Sequence, residues 1–402
     1  MRICFVSRRY WPAVSGMSVY AEQLLRELVA LGHGVVLVSQ YRDDEAGTRV
    51  YGGGPPPAER VPAGVRVVAL PSTGETVVPA DFEGDVRALS GAVVALHAEA
   101  PFDVLHAQYG YPPGLAVLLA ARATGVPCLV SIQGGDGHWV GTCCSTHKTA
   151  ITTVLDASGV VLIGSESFRD EVVGHHATDP ARFTIVPGAT DTARFSPGPR
   201  PLGALQDPPV LLFHGRVDRR KGVLDLLAAL PAGVRLLVSG IGPDLDAAKA
   251  LADERAEFVG YVDPEDAPEV YRRADVFVSP TYSEGFSNTV LEAMASGLPV
   301  VSTRSVGVVD CIRHEDNGLL HEPGDVDGLR AALLRVLADA PLRERLAATA
   351  LEEVRRRYAW PVLARAVEAV YEQVCGTVPD PTWSLPADVD PTCRFRAAAH
   401  LL

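Results

Sequence analysis

Two glutamates stand eight residues apart in a stretch that follows a short apolar strand. Glu284 lies in a loop, and Glu292 lies one turn inside the helix that begins near Asn288. The amides of this loop and first turn lie at the positive end of the helix dipole, where a phosphate is stabilised. An ionised carboxylate only accepts hydrogen bonds, so Glu284 suits sugar hydroxyls and Glu292 suits a ribose diol. The pattern predicts a bound nucleotide-diphosphate sugar; a capped helix with solvated glutamates is the alternative.

A second cluster is basic, although the chain as a whole is acidic. It follows a predicted strand and consists of Arg216, Arg219, Arg220 and Lys221. Gly215 would let the backbone pass close to a ligand, while Arg216 and Lys221 could hold two phosphates at the start of the following helix. A solvated basic loop explains the segment equally well when it is taken alone.

Strands and helices that alternate along both halves of the chain would position these residues. Such alternation predicts parallel sheets with helices on both faces, and ligands of such sheets bind beyond the carboxyl ends of the strands. We therefore expect an α/β fold of two doubly wound domains that face each other across a shared cleft. The predicted parts are a first domain at 1–195, a Pro- and Gly-rich linker at 196–209, a second domain at 210–357, a crossover helix at 358–376 and a tail at 377–402.

The C-terminal part of the chain is less regular. Apolar residues at helical spacing from Glu352 to Gln373 predict one long helix that is bent at Pro361. The tail after it carries four prolines and a weak pattern. It reads as a surface strap or as a disordered segment.

Composition excludes several classes of function. A net charge of −13 would repel a nucleic-acid backbone over most of the surface. The apolar runs are far shorter than the ~20 residues that span a bilayer, so we expect a soluble protein without stable membrane insertion. The opening residues form a strand instead of a secretory leader, which predicts a cytoplasmic location. A homodimer is compatible with this interpretation.

The seven cysteines are scattered without a disulfide-framework spacing, and we interpret them as reduced thiols. One local group could ligate a metal: His138, Cys143, Cys144 and His147. Adjacent cysteines tend to point in different directions, and no Cys-x2-Cys pair is present. We therefore expect no metal here.

Taken together, several segments resemble family 4 of the retaining glycosyltransferases, which have the GT-B fold. The shared patterns are Glu284-x7-Glu292, Gly-Arg-x4-Lys-Gly at 215–222, Gly240-Ile-Gly-Pro243, Asn317-Gly-Leu-Leu with Pro323-Gly-Asp, and Phe102-Asp-Val-Leu-His106. The resemblance spans nearly the whole chain. It implies an enzyme that transfers a sugar from a UDP- or GDP-linked donor.

The resemblance also implies roles for single residues. Arg216, Lys221 and Glu284 would be the catalytic residues, with the first two on the diphosphate and Glu284 on the sugar. The remaining donor contacts would be Gly16, Gly215, Gly242, Tyr261, Val262, Gly285, Phe286, Ser287, Asn288, Thr289, Val290 and Glu292. In this family the leaving phosphate itself is thought to receive the acceptor proton, so neither a cofactor nor a metal is required. Asp325-Val-Asp327 resembles a metal motif but is better explained as a helix cap.

The first half departs from the family pattern. Gln133 replaces a histidine that often touches the transferred sugar, and an amide cannot take a proton near neutral pH. The Asn-Gly-Val-Asp common in relatives is Gly188-Ala-Thr-Asp191 here. Candidate acceptor contacts are His106, Gln108, Tyr109, Gln133, Asp136 and His138. No basic helix face predicts membrane docking, so we expect a small soluble acceptor, as in specialised metabolism.

Other functions remain open. A nicotinamide dehydrogenase is disfavoured, since Leu245 stands where the third glycine of Gly-x-Gly-x-x-Gly should be. A nucleotide-sugar epimerase or hydrolase, a non-catalytic binding protein, and a transferase that acts on a polysaccharide or lipid-linked acceptor would share the donor residues.

Overall fold

The computed structural model of the protein describes residues 1–13, 15–45, 53–386 and 389–399. The chain folds into two compact units. Unit 1 contains Met1–Val186 and Ala364–Leu402, and unit 2 contains Pro187–Leu363. Within the described residues, no helix is long and apolar enough to cross a membrane.

Unit 1 is built on a seven-stranded parallel sheet in the order β3-β2-β1-β4-β5-β6-β7. Its strands are β1 (Arg2–Arg9), β2 (Gly34–Tyr41), β3 (Val65–Pro71), β4 (Val104–Gln108), β5 (Cys128–Ile132), β6 (Val160–Ile163) and β7 (Phe183–Ile185). The connecting helices are α1 (Gly16–Ala30), α2 (Phe82–Glu99), α3 (Leu115–Thr124), α4 (Ser145–Ala157) and α5 (Glu166–His176). Helices on both faces bury the central strands, which is why residues 3–6 of β1 are a continuous apolar run.

Unit 2 has a six-stranded parallel sheet in the order β10-β9-β8-β11-β12-β13. Its strands are β8 (Val210–His214), β9 (Arg235–Ser239), β10 (Ala256–Gly260), β11 (Val276–Ser279), β12 (Val300–Thr303) and β13 (Leu319–His321). Its helices are α6 (Val223–Ala229), α7 (Leu245–Leu251), α8 (Ala267–Arg272), α9 (Asn288–Ala295), α10 (Val326–Ala338) and α11 (Ala340–Arg357). Strand β13, within the Asn317-Gly-Leu-Leu motif, was not predicted.

The predicted linker at 196–209 is wrong, because this segment packs on unit 2. Arg200 forms an ion pair of 2.5 Å with the buried Asp275, and the Asp275 carboxylate also accepts from the amide of Val210. The chain passes from unit 1 to unit 2 after Val186 instead. The proline and glycine content correctly predicted a segment without helix or strand. Such a segment can still be anchored to a domain by ion pairs.

The predicted single helix bent at Pro361 is two helices. The helix α11 ends at Arg357, and α12 (Trp360–Cys375) starts afresh with Pro361 as its second residue, where a missing amide costs nothing. The chain re-enters unit 1 within α12, at Ala364. The tail then ends in a short helix, α13 (Arg394–Ala397). Residues 389–399 of the tail pack on unit 1, as described below.

Candidate active site

The predicted donor residues of unit 2 lie where the order of its sheet reverses. The chain runs from β8 outward to β9 and β10, and then returns to place β11 on the other side of β8. Crossover connections leave β8 and β11 in opposite directions at this switch point, so the carboxyl ends of the two strands open into a crevice. The basic segment follows β8, and the segment with Glu284 follows β11.

Backbone contacts hold these two segments against each other. The amide of Tyr282 donates to the carbonyl of Arg220 at 2.9 Å. Gly222 adopts a left-handed conformation (φ 72°), and a Cβ there would lie 1.9 Å from the carbonyl oxygen of Pro280. Only glycine therefore allows the two loops to approach this closely.

The loop contact brings a cation and a carboxylate together. The ammonium of Lys221 donates to Glu284 at 2.6 Å, and the two side chains are 34% and 16% exposed. A bare carboxylate beside a diphosphate would repel it. The pairing with Lys221 offsets that repulsion and leaves Glu284 oxygens able to accept from hydroxyls.

The other basic side chains are not equivalent. Arg219 is paired with Asp244 at 2.7 Å, and Arg220 is paired with Asp218 at 2.8 Å. The hydrogen bond from Arg220, together with nearby charge, lowers the pKa of Asp218 to about 2. Arg216 is 58% exposed and lies 3.5 Å from Asp218. The Arg216 ion pair is thus the loosest of the four, and Lys221 is the cation paired with Glu284; that Arg216 and Lys221 hold a diphosphate stays a prediction.

A third loop, which follows β12, contacts the backbone of Glu284. The amide of Glu284 donates to the carbonyl of Val306 at 3.0 Å, and a Cβ on Gly307 (φ 77°) would lie 2.2 Å from the carbonyl oxygen of Glu284. Gly307 thus sets the path of the loop that carries Glu284. Sequence reasoning missed it, and its only signal is a glycine shortly after a buried strand.

The start of α9 packs closely against Gly188. A Cβ on Gly188 would lie 2.3 Å from the side-chain oxygen of Asn288 and 2.8 Å from the ring of Phe286. That Asn288 oxygen is buried and has no hydrogen-bond partner among the described residues. Ser287 and Val290 are buried next to it. The amides of the first turn have no intrahelical acceptor, so this end of α9 fits an anion with hydrogen-bonding hydroxyls.

Glu292 lies deeper, one turn into α9. Its carboxylate accepts from the hydroxyl of Tyr271 at 2.7 Å. Burial raises the pKa of Glu292 to about 7, although the Tyr271 hydrogen bond and the charge of Arg194 oppose the rise. Tyr271, on α8, was not predicted, because no local pattern marks it. A carboxyl with such a pKa is the kind of perturbed group that binding sites contain.

The other predicted donor residues of unit 2, including those expected to contact the base, differ in exposure and in the space around them. Tyr261 is exposed and Val262 is half-buried. A Cβ on Gly242 would lie 2.2 Å from the carbonyl oxygen of Val217, so this glycine lets the loops after β8 and β9 pack together. Gly215 (φ 140°) has open space around it, as an approach to a ligand requires. Gly285 is buried and Thr289 half-buried on either side of the α9 start.

Unit 1 has its own switch point, between β1 and β4. There, Gln108 at the end of β4 donates to the side-chain oxygen of Gln133 at 3.0 Å and to the carbonyl of Met17 at 2.9 Å. The hydroxyl of Ser7 donates to Gln108 at 2.8 Å. The structure thus joins two of the predicted acceptor residues in one neutral, polar cluster.

The remaining acceptor candidates are engaged inside unit 1. His106 is fully buried between Tyr371 and Ser131, at 2.7 and 2.6 Å, and burial lowers its pKa to about 3. It has no surface open to a ligand, which contradicts a place in the pocket lining. Burial of a polar motif residue is not visible in the sequence.

Side-chain hydrogen bonds within unit 1 also fix the loop after β5. Asp136 is fully buried and accepts from the amides of Gly110, Gln133 and Gly134. His138 is bonded to Glu171 at 2.7 Å. Both residues shape the loop that presents Gln133, and their contact with an acceptor stays a prediction.

Tyr109 and Gly16 are the two remaining predicted contacts of unit 1. Tyr109 is buried and holds a left-handed backbone (φ 96°). Gly16 is exposed at the start of α1, next to the capping residue Ser15, and a Cβ there would meet nothing within 4 Å. The predicted approach of Gly16 to a donor phosphate stays a prediction.

Comparisons with known proteins match both halves of the chain. Residues 15–189 match the family model "Glycosyl transferase 4-like domain", and residues 208–339 match "Glycosyl transferases group 1". The D-inositol 3-phosphate glycosyltransferase of Stackebrandtia nassauensis is 30% identical over 387 residues, which cover 86% of this chain and 84% of that protein. The chain belongs to family 4 of the glycosyltransferases.

Two other known proteins are similar to this chain over most of its length. The glycogen synthase of Mycobacterium tuberculosis is 29% identical over 405 residues, or 92% of this chain and 94% of that protein. The solved structure of sucrose-phosphate synthase from Thermosynechococcus elongatus shares the fold with a TM-score of 0.75 at 23% identity, over 92% of this chain and 98% of that one. The predicted family and the GT-B fold of two Rossmann-like domains are confirmed.

Proposed function

We propose that this glycosyltransferase moves a sugar from a UDP- or GDP-linked donor to a small soluble acceptor, with retention of configuration. The contact between Lys221 and Glu284 carries the proposal. It joins a cation suited to phosphate to a carboxylate suited to hydroxyls at a sheet switch point, and a nucleotide-diphosphate sugar carries both groups within a few bonds of each other.

The side chains would contribute to the reaction mainly by stabilising negative charge. As the bond between sugar and phosphate breaks, negative charge grows on the diphosphate, and Arg216 and Lys221 stabilise it. Glu284 holds the sugar through its hydroxyls, while the first turn of α9 and Glu292 hold the phosphate and the ribose. Because two side-chain cations serve the diphosphate, we propose that transfer needs no metal ion. The leaving phosphate takes the acceptor proton, so the neutral Gln133 is no obstacle.

The acceptor would bind beside Gln108 and Gln133. Gln108 itself is 1% exposed, and its amide groups are engaged with Ser7, Met17 and Gln133. The half-buried Gln133 is therefore the amide that can meet the acceptor, and its lack of charge suits a neutral polyhydroxylated molecule. One relative is named for inositol 3-phosphate, a small polyol that also carries a charged phosphate. Another is named glycogen synthase, which makes a glucan chain the second candidate. That the acceptor belongs to specialised metabolism stays a prediction.

Donor identity can be tested first. UDP-, GDP-, TDP- and ADP-linked sugars are screened by thermal shift, and the stabilising donor is then offered with inositols, other small polyols and short glucans. We expect one nucleotide class to stabilise the protein and a small acceptor to give a glycoside with retained anomeric configuration. Elongated glucans would favour the second candidate.

Two results would refute glycosyl transfer to a separate acceptor. Rapid consumption of the donor alone would indicate an epimerase or a hydrolase. Tight donor binding without product for any acceptor would indicate a binding protein. A mutational test uses Lys221→Ala, with Arg219→Ala as its matched control. Arg219 lies in the same loop, but its partner is Asp244 and not Glu284.

A further inference from the structure

Unit 1 holds a cluster of sulfur and nitrogen atoms that the transfer reaction does not use. Cys143 and Cys144 precede α4, and His147 lies in the first turn of that helix. The fourth member, Cys393, comes from the tail, 246 residues beyond His147. The three thiol sulfurs and one ring nitrogen all lie within 4.8 Å of one another.

The separations match the edges of a tetrahedron around one metal ion. The sulfur atoms of Cys143, Cys144 and Cys393 lie 3.0, 3.3 and 3.3 Å from Nδ1 of His147. Cys143 lies 3.9 Å from Cys144 and 3.6 Å from Cys393, sulfur to sulfur. Zinc bonds of about 2.3 Å to sulfur and about 2.0 Å to nitrogen give tetrahedral edges of about 3.8 and about 3.5 Å.

Hydrogen bonding does not account for this arrangement. A neutral imidazole nitrogen is either one donor or one acceptor, so Nδ1 cannot satisfy three thiols at once. A disulfide does not account for it either, because a sulfur–sulfur bond is about 2.0 Å long and would leave the third thiol and the imidazole unexplained. A single cation satisfies all four groups together.

The surroundings favour a structural ion. His147 is fully buried, and its ring packs on Tyr111, Phe82 and Phe395 at centroid distances of 4.9, 5.8 and 6.2 Å. Four protein ligands close the tetrahedron, so no position is left for a water or a substrate. Cys3His is one of the ligand sets of structural zinc sites.

We propose that Cys143, Cys144, His147 and Cys393 bind one zinc ion, which fastens the C-terminal tail to unit 1. The expectation of no metal in this segment is thereby replaced. Of the four residues singled out there, His138 does not take part, since it is bonded to Glu171. Its place is taken by Cys393, which sequence spacing could not associate with the others.

Further contacts beside the cluster define what the ion would hold. The amide of Asp390 donates to the hydroxyl of Thr146 at 2.7 Å, and Arg396 donates to the carbonyl of Ala80 at 2.8 Å. Arg8 donates to the carbonyl of Ala399 at 3.0 Å. With the zinc ion removed, residues 389–399 would be retained by these contacts, by the ion pair of Arg396 with Glu83 and by the buried Phe395.

The test is the metal content of the full chain, purified without a metal-binding tag. Elemental analysis by mass spectrometry should find about one zinc per chain. Cys393→Ser and Cys143→Ser should lose it, whereas Cys375→Ser should keep it. Cys375 is the matched control, because it is exposed and its sulfur lies beside Met1, outside the cluster.

A second measurement covers the case in which the ligand variants fail to fold. Cobalt(II) exchanged into the wild-type chain should produce the thiolate-to-metal absorption and ligand-field bands of a tetrahedral site, and zinc should abolish them. In the same chain, a chelator should make the tail sensitive to proteases before either unit unfolds.

Three results would overturn the proposal. One is a reduced wild-type chain that contains no zinc and takes up no cobalt. Another is a Cys393→Ser variant with as much zinc as Cys375→Ser. The third is a native chain whose mass and peptide map show a disulfide between Cys143 and Cys393.

Discussion

Glu292 links donor binding to pH in a way that can be worked out in numbers. In the empty protein its pKa is raised to about 7, mainly by burial. Hydrogen bonds from a ribose diol would favour the ionised carboxylate and lower the pKa of the bound form. Donor binding should therefore be strong above pH 7 and weaken as the pH falls below it.

The size of the effect follows from the ionised fraction. A group with a pKa of about 7 is about 90% ionised at pH 8 and about 10% ionised at pH 6, so the donor dissociation constant should rise about tenfold between these values. The stability of the empty protein has the opposite trend. Because the folded pKa lies above the unfolded one, the contribution of Glu292 to stability is lost as the pH rises from about 4.5 to about 7.

Titration calorimetry with an intact nucleotide sugar is the assay. A free nucleoside diphosphate is unsuitable, because its terminal phosphate takes up a proton near pH 6. Glu292→Gln should bind more weakly at pH 8 and lose the pH dependence. Tyr271→Phe removes the hydrogen bond that favours the ionised form, so its midpoint should move above pH 7. A flat wild-type profile, or an unchanged slope in Glu292→Gln, would refute the reasoning.

Three other predictions concern the same two units. Lys221→Ala should lower kcat roughly 100-fold or more, whereas Arg219→Ala should stay within a few-fold, as measured by steady-state kinetics. Equal losses would remove the distinction between Lys221, which is paired with Glu284, and Arg219, which is paired with Asp244. Gly307→Ala would place a Cβ against the carbonyl of Glu284. We therefore expect weaker donor binding and, in denaturant titration, a loss of about 1–3 kcal/mol in the free energy of unfolding. Unaltered donor binding would contradict this. Gln133→Ala breaks the contact with Gln108 and should raise the acceptor KM without changing the donor dissociation constant; a changed donor constant would count against an acceptor role.

The sequence alone determined the architecture and predicted many of the candidate donor residues. Apolar strands that alternate with helices specify parallel sheets, because only buried strands can be apolar on both faces. The spacing of Glu284 and Glu292 around the start of α9 was likewise readable, since both positions depend on one loop and one helix. These features are local, so a short window of residues is enough to encode them.

The tertiary structure decided which of those residues are available and what lies around them. Four basic residues in one loop look alike in sequence, yet Asp244, 25 residues beyond Arg219, occupies that arginine and leaves Lys221 for Glu284. Tyr271 reaches Glu292 from another helix, and Cys393 meets His147 from the tail. Such pairs depend on where crossover connections and a returning tail place distant segments. No local pattern records these positions, because the partners contact each other only after both sheets have formed.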